Sequence, residues 1–177
     1  MKVRREPTEK SYIAGYTPLN NSEKYTLVLM GRADFGLLGS YNKYKQTPFE
    51  TFHVGGDGMT GSYTYATETI GLRGYDNGAL TPYFDGRAYT RFSMELHFPF
   101  LLQPSSTIYG LAFVEGGNAW TSLENFNPFS LKRSAGVGVR IFLPMIGLMG
   151  IDWAYGFDKV QGEKGGGHFH FILGQEF

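Results

Sequence analysis

Two patterns in this chain have the residue types and spacing for chemistry. Gly56-Asp57-Gly58-Met59-Thr60-Gly61 matches G-x-G-x-x-G, and Asp76 follows at the distance of a ribose-binding acid. Such a loop cradles a pyrophosphate only when a strand leads in and a helix follows, because the helix dipole must meet the phosphates. Here Ser62-Tyr63-Thr64-Tyr65-Ala66-Thr67-Glu68-Thr69 follows, with no amphipathic face, so a glycine-rich turn is the better account. His168 and His170 are two apart, which on a strand points both rings to one face. That pair could begin a metal site, but only Glu176 shares the face, and metal sites normally converge three or more ligands. The pair reads instead as polar residues lining a barrel lumen. His53 and His97 read as loop and lumen residues. No G-x-S-x-G elbow occurs, and no Ser/His/Asp set follows from spacing. The chain has no Cys, which removes disulfides, thiolate metal ligands and cysteine nucleophiles. The expectation is no catalytic residue, no metal, no cofactor and no enzyme.

The elements that carry these residues alternate with a period of two. In Arg87 to Phe100, Ala88, Thr90, Phe92, Met94, Leu96, Phe98 and Phe100 share one face. Arg87, Tyr89, Arg91, Ser93, Glu95 and His97 share the other. From Arg133 to Leu143, Ala135, Val137, Val139, Ile141 and Leu143 lie opposite Ser134, Gly136, Gly138 and Arg140. From Gly147 to Phe157, Met149, Ile151, Trp153, Tyr155 and Phe157 lie opposite Gly150, Asp152, Ala154 and Gly156. Tyr25–Leu37 and Gly167–Phe177 behave similarly, Thr107–Trp120 is bulky on both faces, and Glu9–Leu19 is a weaker strand. The count is about seven strands, most of roughly ten to thirteen residues. Ordinary strands are about five to six residues, whereas lipid-spanning strands need roughly ten.

Composition agrees with an all-β membrane protein. Charged residues make up 18% of the 177, below the usual quarter, against 16% aromatic residues and 25 glycines. Lys+Arg and Asp+Glu are both 16, so no basic excess exists to drive nucleic-acid binding. An apolar content of 42% without net charge does not fit disorder. The stretch Ile141 to Ile151 is broken by Pro144, Gly147 and Gly150 and is too short for a spanning helix. Met1-Lys2-Val3-Arg4-Arg5-Glu6-Pro7 leads into polar residues and does not read as a signal peptide. The apolar faces carry Trp153, Tyr155, Phe157, Phe92 and Phe98, as a lipid-facing band with aromatic girdles requires. A soluble lipocalin-like barrel is the rival, because alternation does not label inside and outside.

Residues 49 to 86 show no sustained alternation and read as one long loop, an uncommon length unless functional. Phe52, Tyr63, Tyr65, Tyr75, Tyr83 and Phe84 argue that much of it packs against something.

The loop contains Leu72-Arg73-Gly74-Tyr75. Met94-Glu95-Leu96-His97-Phe98-Pro99, Ala112-Phe113-Val114-Glu115-Gly116-Gly117-Asn118-Ala119-Trp120, Ser134-Ala135-Gly136-Val137-Gly138-Val139-Arg140 and Phe169-His170-Phe171-Ile172-Leu173-Gly174-Gln175-Glu176-Phe177 follow in order. Together these segments resemble the C-terminal half of the outer-membrane β-barrel assembly family, the BamA-like proteins and bacterial surface antigens. The resemblance runs from about Tyr16 to Phe177, nearly the whole chain. Leu72 and Tyr75 depart mildly from the family's Val-Arg-Gly-Phe. The resemblance implies that the loop folds back into the barrel, where Arg73 meets Glu95, Phe113 and Glu115. Glu95 also falls on the polar face by alternation alone. A guanidinium has five donors and stays charged, so a partly desolvated lumen must supply it with carboxylates. Phe169, Phe171, Leu173 and Phe177 are expected to form a lipid-facing C-terminal assembly signal. The resemblance implies that Gly174 marks an inward kink of the last strand, beside a lateral gate.

The family barrel has about sixteen strands behind soluble periplasmic domains, and bacterial barrels range widely in strand number. This chain is therefore expected to be the C-terminal part of a barrel, residues 1–177, without those domains and without the first half of the barrel. Its open edges must pair with missing strands, with a second copy, or with another barrel. The implied function is that of an insertase of the Gram-negative outer membrane, which folds and inserts β-barrel proteins. Its implied partners are outer-membrane lipid, unfolded β-barrel clients and accessory assembly lipoproteins. A related secretion or translocation pore, and a structural or diffusion porin, are the alternatives.

Overall fold

The computed structural model describes residues 9–18, 27–39, 51–58, 67–84, 86–103, 106–144, 147–160 and 165–174. Nine strands occur among them: β1 (Glu9–Pro18), β2 (Val28–Leu37), β3 (Thr51–Val54), β4 (Thr67–Ile70), β5 (Ala88–Gln103), β6 (Ser106–Trp120), β7 (Lys132–Leu143), β8 (Gly147–Gly156) and β9 (Gly167–Leu173). Seven of them form one antiparallel sheet in the order β1-β2-β5-β6-β7-β8-β9. The sheet does not close, and β1 and β9 are its edges. β5 and β6 have 16 and 15 residues, long enough to cross a bilayer when tilted. No helix among the described residues is long and apolar enough to cross one.

The two faces of this sheet settle inside from outside. Met94 (52% exposed), Val114 (53%), Val137 (56%) and Phe169 (67%) lie open on one face. On the other, Glu95, Glu115, Arg140 and Asp152 are buried. A soluble protein does the reverse, since buried charge is costly and exposed apolar patches are small. The register extends both sets across the wall. Val137 opposes Trp153, and Trp153 opposes Phe169, all outward. Ser93 opposes Glu115, and Asp152 opposes His170, all inward. Two residues assigned to the apolar face of β5, Ala88 and Thr90, lie on that face but are fully buried. They oppose Trp120 and Asn118 near the end of β6, where the outer surface is covered.

The segment 49 to 86 differs from the single loop the sequence suggests. β3 and β4 pair in parallel within it, and a short 3-10 turn spans Pro82–Phe84. All four residues of β3 are buried. A four-residue strand covered on both faces has no polar face to alternate with, so periodicity could not reveal it. The larger apolar cluster among the described residues lies between this segment and the wall: Phe52, Val54, Ile70, Leu72, Tyr75 and Leu80 against Tyr89 and Ala119. Each such side chain contributes roughly 1.5–3 kcal/mol by leaving water. Phe49, Tyr63, Tyr65 and Asp85 lie outside the described residues.

Candidate functional site

The consecutive strands β5 to β9 position the site. The polar faces of β5, β6 and β8 each present one buried carboxylate, Glu95, Glu115 and Asp152. Arg73, itself buried, reaches all three from the inserted segment. Its Nη2 donates to Glu115 Oε1 at 2.8 Å and also to Glu95 Oε1. Its Nη1 donates to Asp152 Oδ2 at 2.9 Å. Its backbone N–H donates to Glu115 Oε2 at 2.9 Å, so one carboxylate holds both ends of the residue. The guanidinium lies 3.5 Å from the centroid of the Phe113 ring, a cation–π contact in a desolvated site. Burial alone would lower the Arg73 pKa, but Glu115 and Glu95 beside it outweigh burial and hold it well above its usual value.

The acids are shared with other cations. Arg91 Nη2 donates to Glu115 Oε1 at 2.8 Å, and Ser93 Oγ donates to the same oxygen at 3.2 Å. Arg140 forks onto Asp152, with Nη2 at 2.7 Å from Oδ2. His97 Nε2 lies 2.9 Å from Glu95 Oε2. Arg73, Arg91 and Arg140 thus balance Glu95, Glu115 and Asp152, three charges against three. A balanced, hydrogen-bonded set is the arrangement that low dielectric tolerates.

The neighbours of Arg73 fix the segment against the wall. Leu72 is fully buried, and a Cβ on Gly117 of β6 would stand 3.2 Å from its Cδ1. Gly74 has φ +89, and a Cβ there would lie 2.9 Å from the Ser134 Cβ and 3.0 Å from the Gly156 N. Glycine alone satisfies both that backbone and that approach. The Gly74 N–H donates to His170 Nε2 at 2.9 Å, which ties the segment to β9. His168 Nδ1 lies 3.3 Å from Asp76 Oδ1. The two histidines therefore face the inserted segment. Among the described residues no three His, Cys, Asp or Glu side chains gather as metal ligands. Tyr75 donates its hydroxyl to the Arg133 carbonyl at 2.6 Å, and burial pushes its pKa up. Arg133 in turn holds Asp158 through its N–H at 2.7 Å and its Nη2 at 3.0 Å. His53, read as a loop residue, lies buried on β3.

The structure thus brings Leu72, Arg73, Gly74 and Tyr75 together with Glu95, Phe113 and Glu115. Asp152, Arg91, Arg140 and His170 belong to the same set, although sequence reasoning did not join them to Arg73. A signal for Asp152 exists: Gly138 and Gly150 clear space around it and Arg140, and a Cβ on Gly150 would stand 2.6 Å from the Arg140 side chain. Phe169, Phe171 and Leu173 lie apart from the site, exposed on the outward face of β9. Gly174 follows with φ +111, and its N–H donates to the Leu148 carbonyl at 2.8 Å. Phe177 lies outside the described residues.

An Omp85 superfamily domain matches residues 9–177. The chain belongs to the Omp85 superfamily. Among solved structures it resembles BamA from Haemophilus ducreyi lacking POTRA domains 1-3, with a TM-score of 0.58 and 20% identity. The match covers 90% of this chain and 33% of that one, so the Omp85 chain described here spans about a third of the solved chain's length. No curated protein matches. Omp85 membership, the BamA likeness and the outward apolar face together make this a portion of a BamA-like outer-membrane β-barrel. They imply an outer-membrane location.

Proposed function

We propose that this chain is part of an insertase that folds β-barrel proteins into the outer membrane through a lateral gate bordered by β9. The observation that carries the reading is the place of β9 at the border of the described sheet, beside a wall held from inside by Arg73. An unpaired edge offers a ladder of main-chain donors and acceptors to an incoming strand. Gly174, with positive φ, lets the end of β9 turn away from a straight ladder. The inserted segment is bound to β5, β6, β8 and β9 at once, which keeps that portion of the wall rigid beside the edge. No bond is made or broken in this activity, and it calls for no catalytic residue or cofactor. Unfolded β-barrel proteins are its clients, and accessory lipoproteins of the assembly machinery are its partners in this proposal.

Site-specific photocrosslinking from Ile172 of β9, in the complete protein and in cells, tests the reading. Crosslinks to several different nascent barrel proteins are expected. Crosslinks to one secreted passenger alone would make the chain a translocation pore, and none to any client would remove β9 as a gate.

A further inference from the structure

The connection between β6 and β7 folds over the outside of the sheet. Gly116, Asn118 and Trp120 share the outward face of β6 with the exposed Val114. A Cβ on Gly116 would stand 3.5 Å from Leu131 Cδ1, so Leu131 lies over that face. Asn118 Nδ2 donates to the Ser130 carbonyl at 2.8 Å. The Phe126 ring meets Trp120 edge-on, with centroids 4.9 Å apart. Three contacts therefore hold residues 121–131 against the exterior, at the end where Ala88 and Thr90 of β5 are buried.

This clasped connection presents exposed apolar side chains. Phe129 is 84% exposed and Leu123 is 49% exposed. Glu124 is the only charged residue from 121 to 131, and Lys132 and Arg133 follow at once. The outward face of the sheet runs on from here as the apolar band of Val114, Val137 and Trp153. Such a rim, with aromatic and aliphatic tips, polar backbone turns and cations at its border, suits the boundary between headgroups and acyl chains.

We propose that the β6–β7 connection is an interfacial anchor whose Phe129 and Leu123 enter the headgroup–acyl boundary of the adjoining leaflet. The occupant is lipid, because the patch continues the lipid-facing band. A water-filled lumen would not meet that outer side. The anchor fixes the height of the sheet in the membrane at the end where the Arg73 segment is held.

The chain has no Cys, so a single cysteine placed in it is the chain's only label site, and any Cys elsewhere in the complete protein is first replaced. Phe129→Cys, Leu123→Cys and Glu124→Cys, each carrying an environment-sensitive fluorophore, are compared in the complete protein in phosphatidylcholine vesicles. These side chains stand outside the core, so folding is expected to survive. At 129 and 123, nitroxide lipids labelled near the headgroup should quench several-fold more than lipids labelled deep in the chains. Aqueous iodide should quench the probe at 124 several-fold more than either. Equal iodide quenching at all three positions, or no lipid quenching at 129, would overturn the proposal. Shielding at 129 that appears only when a second protein is added would assign the patch to a protein partner instead.

Discussion

Arg73 is a permanent cation placed where water does not reach, so what its loss does depends on what it leaves behind. Arg73→Ala leaves Glu95, Glu115 and Asp152 with two guanidiniums among them, those of Arg91 and Arg140. Breaking a buried ion pair from one side costs about 3–5 kcal/mol. The expected outcome is a lower unfolding temperature by gel mobility and faster proteolysis between Gly55 and Tyr83. Arg73→Lys should recover part of this, because an ammonium cannot fork onto acids from three strands. Charge reversal at Glu115 should mimic Arg73→Ala, and the double change should be less than additive; strict additivity in a double-mutant cycle would separate the two residues. A second test concerns Asp158, whose carboxyl the Arg133 guanidinium hydrogen-bonds and holds below the usual aspartate range. Depressed pKa means that the charged form favours the folded state. That contribution is present above the unfolded value of about 3.9 and is lost as pH falls through the lower folded value. Protection around Tyr75, which bonds Arg133 O, should therefore weaken on acidification, and Asp158→Asn should flatten that response. Glu95 was readable from alternation alone, since it falls on the polar face of β5. Asp152 was on a polar face as well, but strand spacing does not say which buried charges meet across three strands.

Strands were the most legible elements, because each long one has a wet or charged side and an apolar side. β5, β7 and β8 could be traced almost to their ends for that reason. β6 was less clear because its inward face carries Phe113 beside Glu115, an aromatic ring lying against a buried guanidinium. β3 and β4 were invisible because each has only four residues, and β3 is covered on both sides. The same two-sidedness makes a prediction. Val139 is exposed on the outward face of β7, while Gly138 beside it faces Asp152. Val139→Arg should cost about 2–4 kcal/mol if that position lies near the bilayer midplane. Chemical unfolding in lipid vesicles measures it, and a neutral effect would mean that the outward face of β7 meets water.

Across the described residues, the molecule is an open sheet with a plug-like segment on its charged side. In mild detergent the isolated chain is expected to associate through the edges of β1 and β9, as unpaired ladders do. Light scattering after size-exclusion chromatography decides this, and a stable monomer would mean that both edges are shielded. The Arg73 site carries a further consequence, one of timing. Its ligands lie on β5, β6 and β8, and the hydrogen bond to Gly74 comes from β9, so the contacts run from residue 73 to residue 170. Contacts of such sequence separation are slow to form, because the intervening chain must first be ordered. A segment made before these strands must therefore wait for β9 before all of its contacts can form. Truncation after β7 should leave residues 51–84 protease-sensitive even if β5, β6 and β7 assemble. Docking of Arg73 would then act as a clock on assembly, striking only when β9 has arrived.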